Sequence, residues 1–330
     1  MADAKYGSLE KRITLNMVVS IITLAFVVLL TYAYLTHPQA LATQQRIQQS
    51  SNSSSSSRSA TSGSTGTTLV GINTQLNASE LAAINNEPLN YYEIAGGKLL
   101  NGTIINQVVT TKGPQYNALV INGKPSVIYV GAITCPFCGE NRWAMQLALA
   151  KFGNFTALYK GYSSLSDGDV PTLYFSPVNY TTSAGVSFES HYHSNLINFF
   201  SGEYESPLTQ GFQIQPISYF IVKAPDQPNA TALSFMNSTG KFQGTPFSYW
   251  GTSLFLGADA VVFGNSTQST TLLNGGETHD QILSQLKGFD DQFAWSEYAA
   301  ADVYIADVCP SISNSAPVCS LSAIQKLEKL

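Results

Sequence analysis

The chain has 330 residues, of which 44% are hydrophobic and only 11% are charged, and its formal net charge is -5. A typical soluble domain carries about 25% charged residues, so this surface depends on neutral polar groups or on attached sugar for solubility. The small net charge, with no basic stripe after Arg12, argues against a nucleic-acid partner.

The first predicted element is a membrane-spanning helix. Ile13 to Leu35 is an uncharged, mostly apolar run that at about 1.5 Å per residue spans the roughly 30 Å core of a bilayer. Three basic residues precede the run and the next is Arg46, so the positive-inside rule places residues 1–12 in the cytoplasm and the residues beyond His37 outside the cell. A cleaved signal peptide is the alternative, because Ala40-Leu41-Ala42 has a small-x-small pattern. The length of the apolar run favours an uncleaved signal anchor.

Residues 36–68 are predicted to form a disordered, Ser/Thr-rich linker, because they contain almost nothing that could enter a core. The density of Asn-x-Ser/Thr sequons, in a chain expected to lie outside the cell, indicates a glycosylated surface. Asn77 also opens a predicted capping box with Glu80, a role that competes with a glycan at the same side chain. The glycosylation candidates are Asn52, Asn77, Asn101, Asn154, Asn179, Asn229, Asn237 and Asn265.

Residues 69–330 are predicted to form one extracytoplasmic domain. Its most apolar strand, 126–133, is hydrophobic on both faces, as a central strand covered by helices should be. A helical pattern follows Cys138 and ends at Gly153-Asn154. Further strands are predicted at 118–122, 156–162, 172–175, 185–193, 217–222 and 232–235, then a hairpin of 247–256 and 260–263 around Gly257, and helices at 279–287 and 289–306.

The motif Cys135-Pro136-Phe137-Cys138 joins the apolar strand to the helix. This arrangement is what thiol–disulfide exchange requires, because unpaired N–H groups at the helix N-terminus stabilise a thiolate at the first cysteine. The second cysteine lies one turn inside, close enough to form a disulfide with the first, so Cys135 is expected to be the more exposed and reactive thiol. The chemistry needs no cofactor beyond this redox-active disulfide, and a zinc site would need further ligands at matching spacing. A purely structural disulfide within the motif is the remaining alternative.

Together with Gly244-Thr245-Pro246-Phe247, the CPFC motif resembles the thioredoxin-like superfamily, including glutaredoxins and periplasmic disulfide oxidoreductases. The resemblance implies an α/β fold in which Cys135 attacks, Cys138 resolves, and Pro246 forms a cis-proline turn that guides the substrate backbone. Val170-Pro171-Thr172 is a second candidate for that turn.

The chain from Lys124 to Cys319 also resembles an uncharacterised, largely archaeal membrane-anchored family. The residues that carry this resemblance are GAITCPFCGENRW, LAKFGNF, the GTPF turn and the closing YAAADVYIADVC and PVC. This second resemblance implies an organisation and no activity.

Two features depart from the thioredoxin-like pattern. Family members often carry a buried carboxylate six residues before the first cysteine, and that position is Tyr129 here, a poor base near neutral pH. Residues of about 163–244 replace a short crossover and are predicted to be a large β-rich insertion that restricts or selects substrates.

Cys309 and Cys319 are predicted to form a structural disulfide, since an even cysteine count and an oxidising compartment favour pairing. The alternative is a relay that exchanges with Cys135. His191 and His193 share one face of a predicted strand, and without a nearby third ligand they indicate a polar strand face rather than a metal site.

These observations predict a single-pass membrane protein with an extracellular thiol–disulfide oxidoreductase domain. Its expected partners are the membrane, secreted or surface proteins with thiols or disulfides, and a redox partner. The alternative is a non-catalytic cell-envelope glycoprotein that retains the fold and holds CPFC as an inert disulfide.

Overall fold

The computed structural model describes residues 71–102, 105–107, 118–163, 170–179, 185–207, 215–240, 242, 244–251, 253–256, 262–263 and 278–330. The predicted anchor at 13–35, the linker at 36–68 and the sequons at Asn52 and Asn265 lie outside these ranges. No helix within the described ranges is both long enough and apolar enough to span a membrane.

The described residues form a mixed α/β structure. Its helices are α1 (Ala78–Asn85), α2 (Leu89–Leu100), α3 (Pro136–Leu149), α4 (Ile217–Lys223), α5 (Gln227–Ser238), α6 (His279–Gly288), α7 (Gln292–Val308) and α8 (Ser322–Leu327). Its strands are β1 (Thr74–Gln75), β2 (Ile105–Gln107), β3 (Val120–Ile121), β4 (Lys124–Ala132), β5 (Asn154–Phe155), β6 (Tyr159–Tyr162), β7 (Pro171–Tyr174), β8 (Gly185–Ser187), β9 (Tyr192–His193), β10 (Asn198–Glu205), β11 (Phe247–Trp250), β12 (Ser253–Leu256) and β13 (Val262–Phe263).

The main sheet has the strand order β12-β11-β4-β10-β8, with β3 paired to β4. β10 runs parallel to β4, in a register that aligns Ser126 with Asn198 and Ala132 with Tyr204. On the other side of β4, β11 is antiparallel, and it forms an antiparallel hairpin with β12. The strand that leads into CPFC is therefore central, as its apolar sequence predicted.

The two faces of β4 belong to different hydrophobic clusters. Val127 and Tyr129 pack in the cluster that holds α2, α3 and α7. Ile128 and Val130 pack in the cluster that holds α4 and α5, together with Cys135 and Cys138. Because side chains alternate along a strand, one apolar strand supplies the core on both faces of the sheet.

Two predicted strands are wrong, because residues 217–222 and 232–235 lie in the helices α4 and α5. In α4, Ile217 and Phe220 are buried three residues apart, so helical packing against the sheet overrides the β-propensity of an aromatic and β-branched run. The start signal of α5 was present in the sequence: Asp226 caps the helix through the backbone N–H of Asn229, and a proline occupies the first turn. Between 163 and 244, the described residues thus include two helices and the long strand β10, so this region is not β-rich and part of it belongs to the main sheet.

The predicted hairpin turns at Gly251 and not at Gly257. Gly251 has a φ of 56°, and a Cβ at this position would collide with the backbone of Asp307 on α7. A residue without a side chain is therefore required where the β11–β12 turn meets α7. The later run contributes β13, which pairs with β2.

The predicted capping box of Asn77 and Glu80 is confirmed, with each side chain bonded to the backbone N–H of the other residue.

Helix α7 buries three acidic residues, Glu297, Asp302 and Asp307. Burial raises the pKa of the Asp302 carboxyl well above its ordinary value, and the charge of Glu93 on α2 raises it further, while the Gly96 backbone lowers it only in part. Burial and the neighbouring Glu140 on α3 likewise raise the pKa of Glu297. The folded protein therefore favours the neutral, protonated form of these carboxyl groups.

Replacing Asp302 with Asn should flatten the dependence of stability on pH. Because its pKa is raised on folding, the folded state binds more protons than the unfolded state, and stability is lost as the pH rises from the ordinary pKa towards the raised one. One such group contributes about 1.4 kcal/mol per pH unit across that window. Denaturant unfolding of the wild type and Asp302→Asn at a series of pH values measures the slope.

Asp290→Asn is the matched control, since Asp290 is exposed in the turn before α7. It should leave the slope unchanged. If Asp302→Asn and Asp290→Asn give the same slope as the wild type, the buried carboxyl does not set the pH dependence.

Candidate functional site

The two cysteines of CPFC lie at the N-terminus of α3, directly after the central strand. Cys135 is the N-cap residue, and its sulfur accepts a hydrogen bond from the backbone N–H of Cys138 at 3.3 Å. Pro136 occupies the first turn, where a missing N–H has no cost. The sulfur of Cys138 lies 3.5 Å from the backbone nitrogen of Ala132 at the end of β4. The strand and the helix therefore each place one N–H against one sulfur.

A cis-proline turn faces the first cysteine. The Thr245–Pro246 peptide bond is cis, as the sequence predicted, and it immediately precedes β11. The Cys135 thiol lies 3.7 Å from the carbonyl oxygen of Thr245. The rival turn at Pro171 starts β7 instead, where its carbonyl accepts a hydrogen bond from the Trp143 indole at 3.0 Å. The pairing of β11 with β4 thus brings Pro246 close to Cys135 and Cys138, although Pro246 is far from both cysteines in the chain.

The expectation that Cys135 is the more exposed thiol is wrong, because both cysteines are 0% exposed. The Thr245–Pro246 turn lies against Cys135, and Pro246 is itself buried. Within the motif the exposed side chain is Phe137, at 47%. The motif therefore presents an aromatic ring to solvent and keeps both sulfurs beneath the surface.

Burial and a shared hydrogen bond set the charges of the two free thiols. Burial raises the pKa of Cys135 well above its ordinary value, and the adjacent Cys138 raises it further. Burial also acts to raise the pKa of Cys138, but a hydrogen bond from Cys135 and the charge of Arg142 outweigh it and lower that pKa. The helix N-terminus alone would favour a thiolate at Cys135. Because the two thiols interact, the first ionisation belongs to the pair, and the charge of Arg142 lowers the pKa of both sulfurs.

Arg142 lies one turn after Cys138 on α3 and forms a buried ion pair with Glu203 on β10. Its Nε and Nη2 donate to the two carboxylate oxygens of Glu203 at 2.9 and 2.7 Å, a bidentate geometry. Nη2 also donates to the carbonyl of Ala132 at 3.3 Å. The guanidinium carbon lies 4.5 Å from the centre of the Tyr174 ring. The charge of Glu203 keeps Arg142 ionised in the core, because it raises the guanidinium pKa against the effect of burial.

Tyr129 occupies the position of the family's carboxylate and is fully buried. Burial raises its phenol pKa well above the ordinary value, so it is neutral across the physiological range. Its hydroxyl makes no hydrogen bond within the described residues, and it lies so close to Gly131 that a Cβ there would collide with it. The carboxylate whose charge reaches Cys138 is instead Glu203, which is aligned with Gly131 on the neighbouring strand.

Sequence reasoning missed both Arg142 and Glu203. They are 61 residues apart, and only the parallel pairing of β4 and β10 brings them together. The need for a buried partner becomes evident only in the structure, where every residue of α3 except Phe137 is buried.

A disulfide joins Cys309, at the end of α7, to Cys319 in a short 3₁₀ turn before α8. Both residues pack in the hydrophobic cluster of α2, α3 and α7, whereas Cys135 and Cys138 pack in the cluster on the other face of the sheet. This separation favours a structural bridge over a relay.

The remaining predicted sites lie on the surface. His191 is within 3.3 Å of the Tyr159 hydroxyl, and no group of three or more potential metal ligands occurs in the described part of the chain. Oδ1 of Asn77 accepts the capping hydrogen bonds, and Nδ2, the atom that a glycan would modify, takes no part in them. Capping and glycosylation are therefore compatible at Asn77. Asn229 is half-buried, and its side-chain amide donates to Asp226. The exposed candidates are Asn77, Asn101, Asn154, Asn179 and Asn237.

A family model described as a domain of unknown function (DUF929) matches residues 115–219. The matched segment includes both CPFC cysteines, Arg142 and Glu203, and it ends before Pro246. No curated protein and no solved structure matches the chain.

Replacing both Cys309 and Cys319 with Ala should lower the free energy of unfolding by about 2–3 kcal/mol, because the bridge closes a loop of ten residues that is open in the unfolded variant. Denaturant unfolding measures the loss. The reduction potential of the CPFC pair, measured in the same variant against glutathione, should stay that of the wild type. A changed potential with unchanged stability would contradict the structural assignment and favour the relay.

Proposed function

We propose that this protein is a thiol–disulfide oxidoreductase with a thioredoxin-like fold, and that Cys135 and Cys138 are its redox-active pair. The observation that carries the proposal is the convergence of the helix-capping Cys135, the adjacent Cys138 and the cis Thr245–Pro246 turn. Thr245 O lies 3.7 Å from the Cys135 sulfur, although the two residues are 110 positions apart in the chain.

The order of the core elements supports the thioredoxin-like assignment. β4, α3 and β10 form a parallel crossover, α4 and α5 follow, and the antiparallel strands β11 and β12 and helix α7 complete the core. The cysteines lie at the first strand–helix junction and the cis-proline before the third strand of this set. The resemblance recognised in the motifs implies this same placement.

The reaction is a two-electron exchange. Cys135 passes its proton to the Cys138 thiolate and attacks one sulfur of a substrate disulfide, which forms a mixed disulfide and releases the other substrate sulfur as a thiolate that takes up a proton from solvent. Cys138 then attacks the Cys135 sulfur, forms the Cys135–Cys138 bond and releases the second substrate thiolate, which is also protonated. The substrate disulfide is reduced and the CPFC dithiol is oxidised; the reverse sequence oxidises a substrate dithiol.

We place the domain outside the cell on a single-pass anchor formed by Ile13–Leu35. The apolar run, its basic N-terminal flank and the exposed sequons of the domain support this location. The Cys309–Cys319 disulfide also supports it, since such bonds persist in oxidising compartments.

Burial of both sulfurs favours a second candidate, a non-catalytic envelope glycoprotein with the same fold. In that case CPFC contributes only to the packing of the core. The two candidates differ in whether a substrate disulfide reacts with Cys135.

Replacing Cys135 with Ser should abolish reduction of a disulfide-bonded peptide by the dithiol form of the purified protein, because the attacking sulfur is lost. Replacing Cys138 with Ser should instead trap the mixed disulfide between Cys135 and the peptide, since the resolving sulfur is absent. Fluorescence of a quenched peptide measures the first effect, and intact-protein mass spectrometry measures the second.

The Cys309→Ala, Cys319→Ala double variant is the control, because it removes cysteines outside the site and should retain the exchange activity. Equal activity of Cys135→Ser and the wild type, or the absence of any peptide adduct on Cys138→Ser, would favour the non-catalytic candidate.

Protease added to intact cells that express the protein should remove the domain and leave the short N-terminal segment protected. The physical reason is the retention of the basic flank on the cytoplasmic side. Antibodies against each end detect the fragments. A domain that resists digestion until the cells are lysed would reverse the proposed orientation.

A further inference from the structure

We propose that the buried Arg142–Glu203 ion pair is the positioning element that holds negative charge at Cys138 for the resolving step. The inference rests on the proposed exchange function and adds residues that the motif does not contain. It assigns opposite electrostatic effects to the two partners, with Arg142 favouring the Cys138 thiolate and Glu203 limiting that effect.

Ala132 at the end of β4 contacts both Cys138 and Arg142. Ala132 is shared between the two groups: its N–H faces the sulfur of Cys138, and its carbonyl accepts from Arg142 Nη2. Arg142 and Cys138 are four residues apart on α3, so their side chains lie on the same face of the helix. The guanidinium is therefore held beside the second cysteine by the peptide backbone of the strand as well as by Glu203.

The geometry of the Arg142–Glu203 ion pair fixes the position of the Arg142 guanidinium. Both side chains are at most 3% exposed, and the two short bonds to Glu203 fix the guanidinium plane. Arg142 Nη1 has no partner within the described residues, although it is buried. A guanidinium that is not fully hydrogen-bonded retains attraction for a nearby anion in a low-dielectric core.

The other groups that face this region are Cys135 on its own helix, Tyr129 on β4 and Tyr174 on β7. The Tyr129 ring lies 6.0 Å from the Arg142 guanidinium carbon, and its phenol is neutral. Tyr174 presents its ring to the same guanidinium and donates its hydroxyl hydrogen to backbone carbonyls. Apart from the two thiols, Arg142 and Glu203 are thus the ionised groups that act on Cys138.

In the resolving step, a buried Cys138 thiol must lose its proton before it attacks the Cys135 sulfur. The proton passes to solvent, the Cys138 electron pair forms the intramolecular disulfide, and the departing substrate thiolate takes up a proton in turn. A fixed positive charge beside Cys138 stabilises the thiolate before the attack, in a site where burial alone would keep the thiol neutral.

The test follows the ionisation of Cys138 in full-length Cys135→Ser protein, in which Cys138 is the only free thiol, by carbon NMR of isotope-labelled cysteine across pH. Arg142→Met should raise the titration midpoint and Glu203→Gln should lower it, each by about one pH unit, a tenfold change in the ionisation constant. Arg142→Lys retains the charge and should leave the midpoint closer to the parent than Arg142→Met does.

Glu297→Gln is the matched control, because it makes the same carboxyl-to-amide change in a buried glutamate that lies outside the Arg142 ion pair and is held neutral by the fold, so it should not move the midpoint. Opposite shifts for Arg142→Met and Glu203→Gln support the proposal, whereas shifts in one direction, or none, overturn it. If Arg142→Met fails to fold, Glu203→Gln decides alone: a lowered midpoint supports the proposal and an unchanged one overturns it. The titration needs no substrate, so its result is independent of whether the protein exchanges disulfides.

Discussion

The parallel pairing of β4 with β10 is the interaction on which the rest of the site depends. It places β4 in the middle of the sheet, so that the chain leaves the strand at Ala132 and enters α3 with Cys135 at the cap. The same register puts Glu203 beside Gly131, within reach of Arg142 on the helix above. A shift of one residue would turn Glu203 to the other face of the sheet and leave Arg142 without its carboxylate.

The chain has few charges, and several of them are buried. An arginine in the core is costly unless it is paired and hydrogen-bonded, and Glu203 supplies both conditions here. Burial has the opposite effect on Glu297 and Asp302 of α7, whose raised pKa values favour the neutral form. Protonation therefore favours the folded state at Asp302, whose pKa is raised by burial.

The low number of charges in the chain also affects its response to acid. With 16 Lys and Arg residues, the fully protonated chain would carry a modest positive charge and little self-repulsion. The buried acids of α7 add stability at low pH. The proposed thiol chemistry depends instead on ionisation, so we expect acid to slow it.

The sequence by itself determined the local features of this protein. The apolar run of β4, the helix after CPFC and the capping box at Asn77 could be predicted, because each depends on a short pattern of residues. The cis peptide at Pro246 was implied by the resemblance of the motifs. Only the tertiary structure decided which charged residues lie near the cysteines. Arg142 and Glu203 are 61 residues apart in the chain and form their ion pair because of the strand pairing. It also made α4 and α5 helices where local β-propensity predicted strands, because packing of their apolar faces on the sheet outweighs a propensity difference of about 1 kcal/mol. The burial of both sulfurs was decided in the same way: the pairing of β11 with β4 places the Thr245–Pro246 turn against Cys135, a contact that no local pattern encodes.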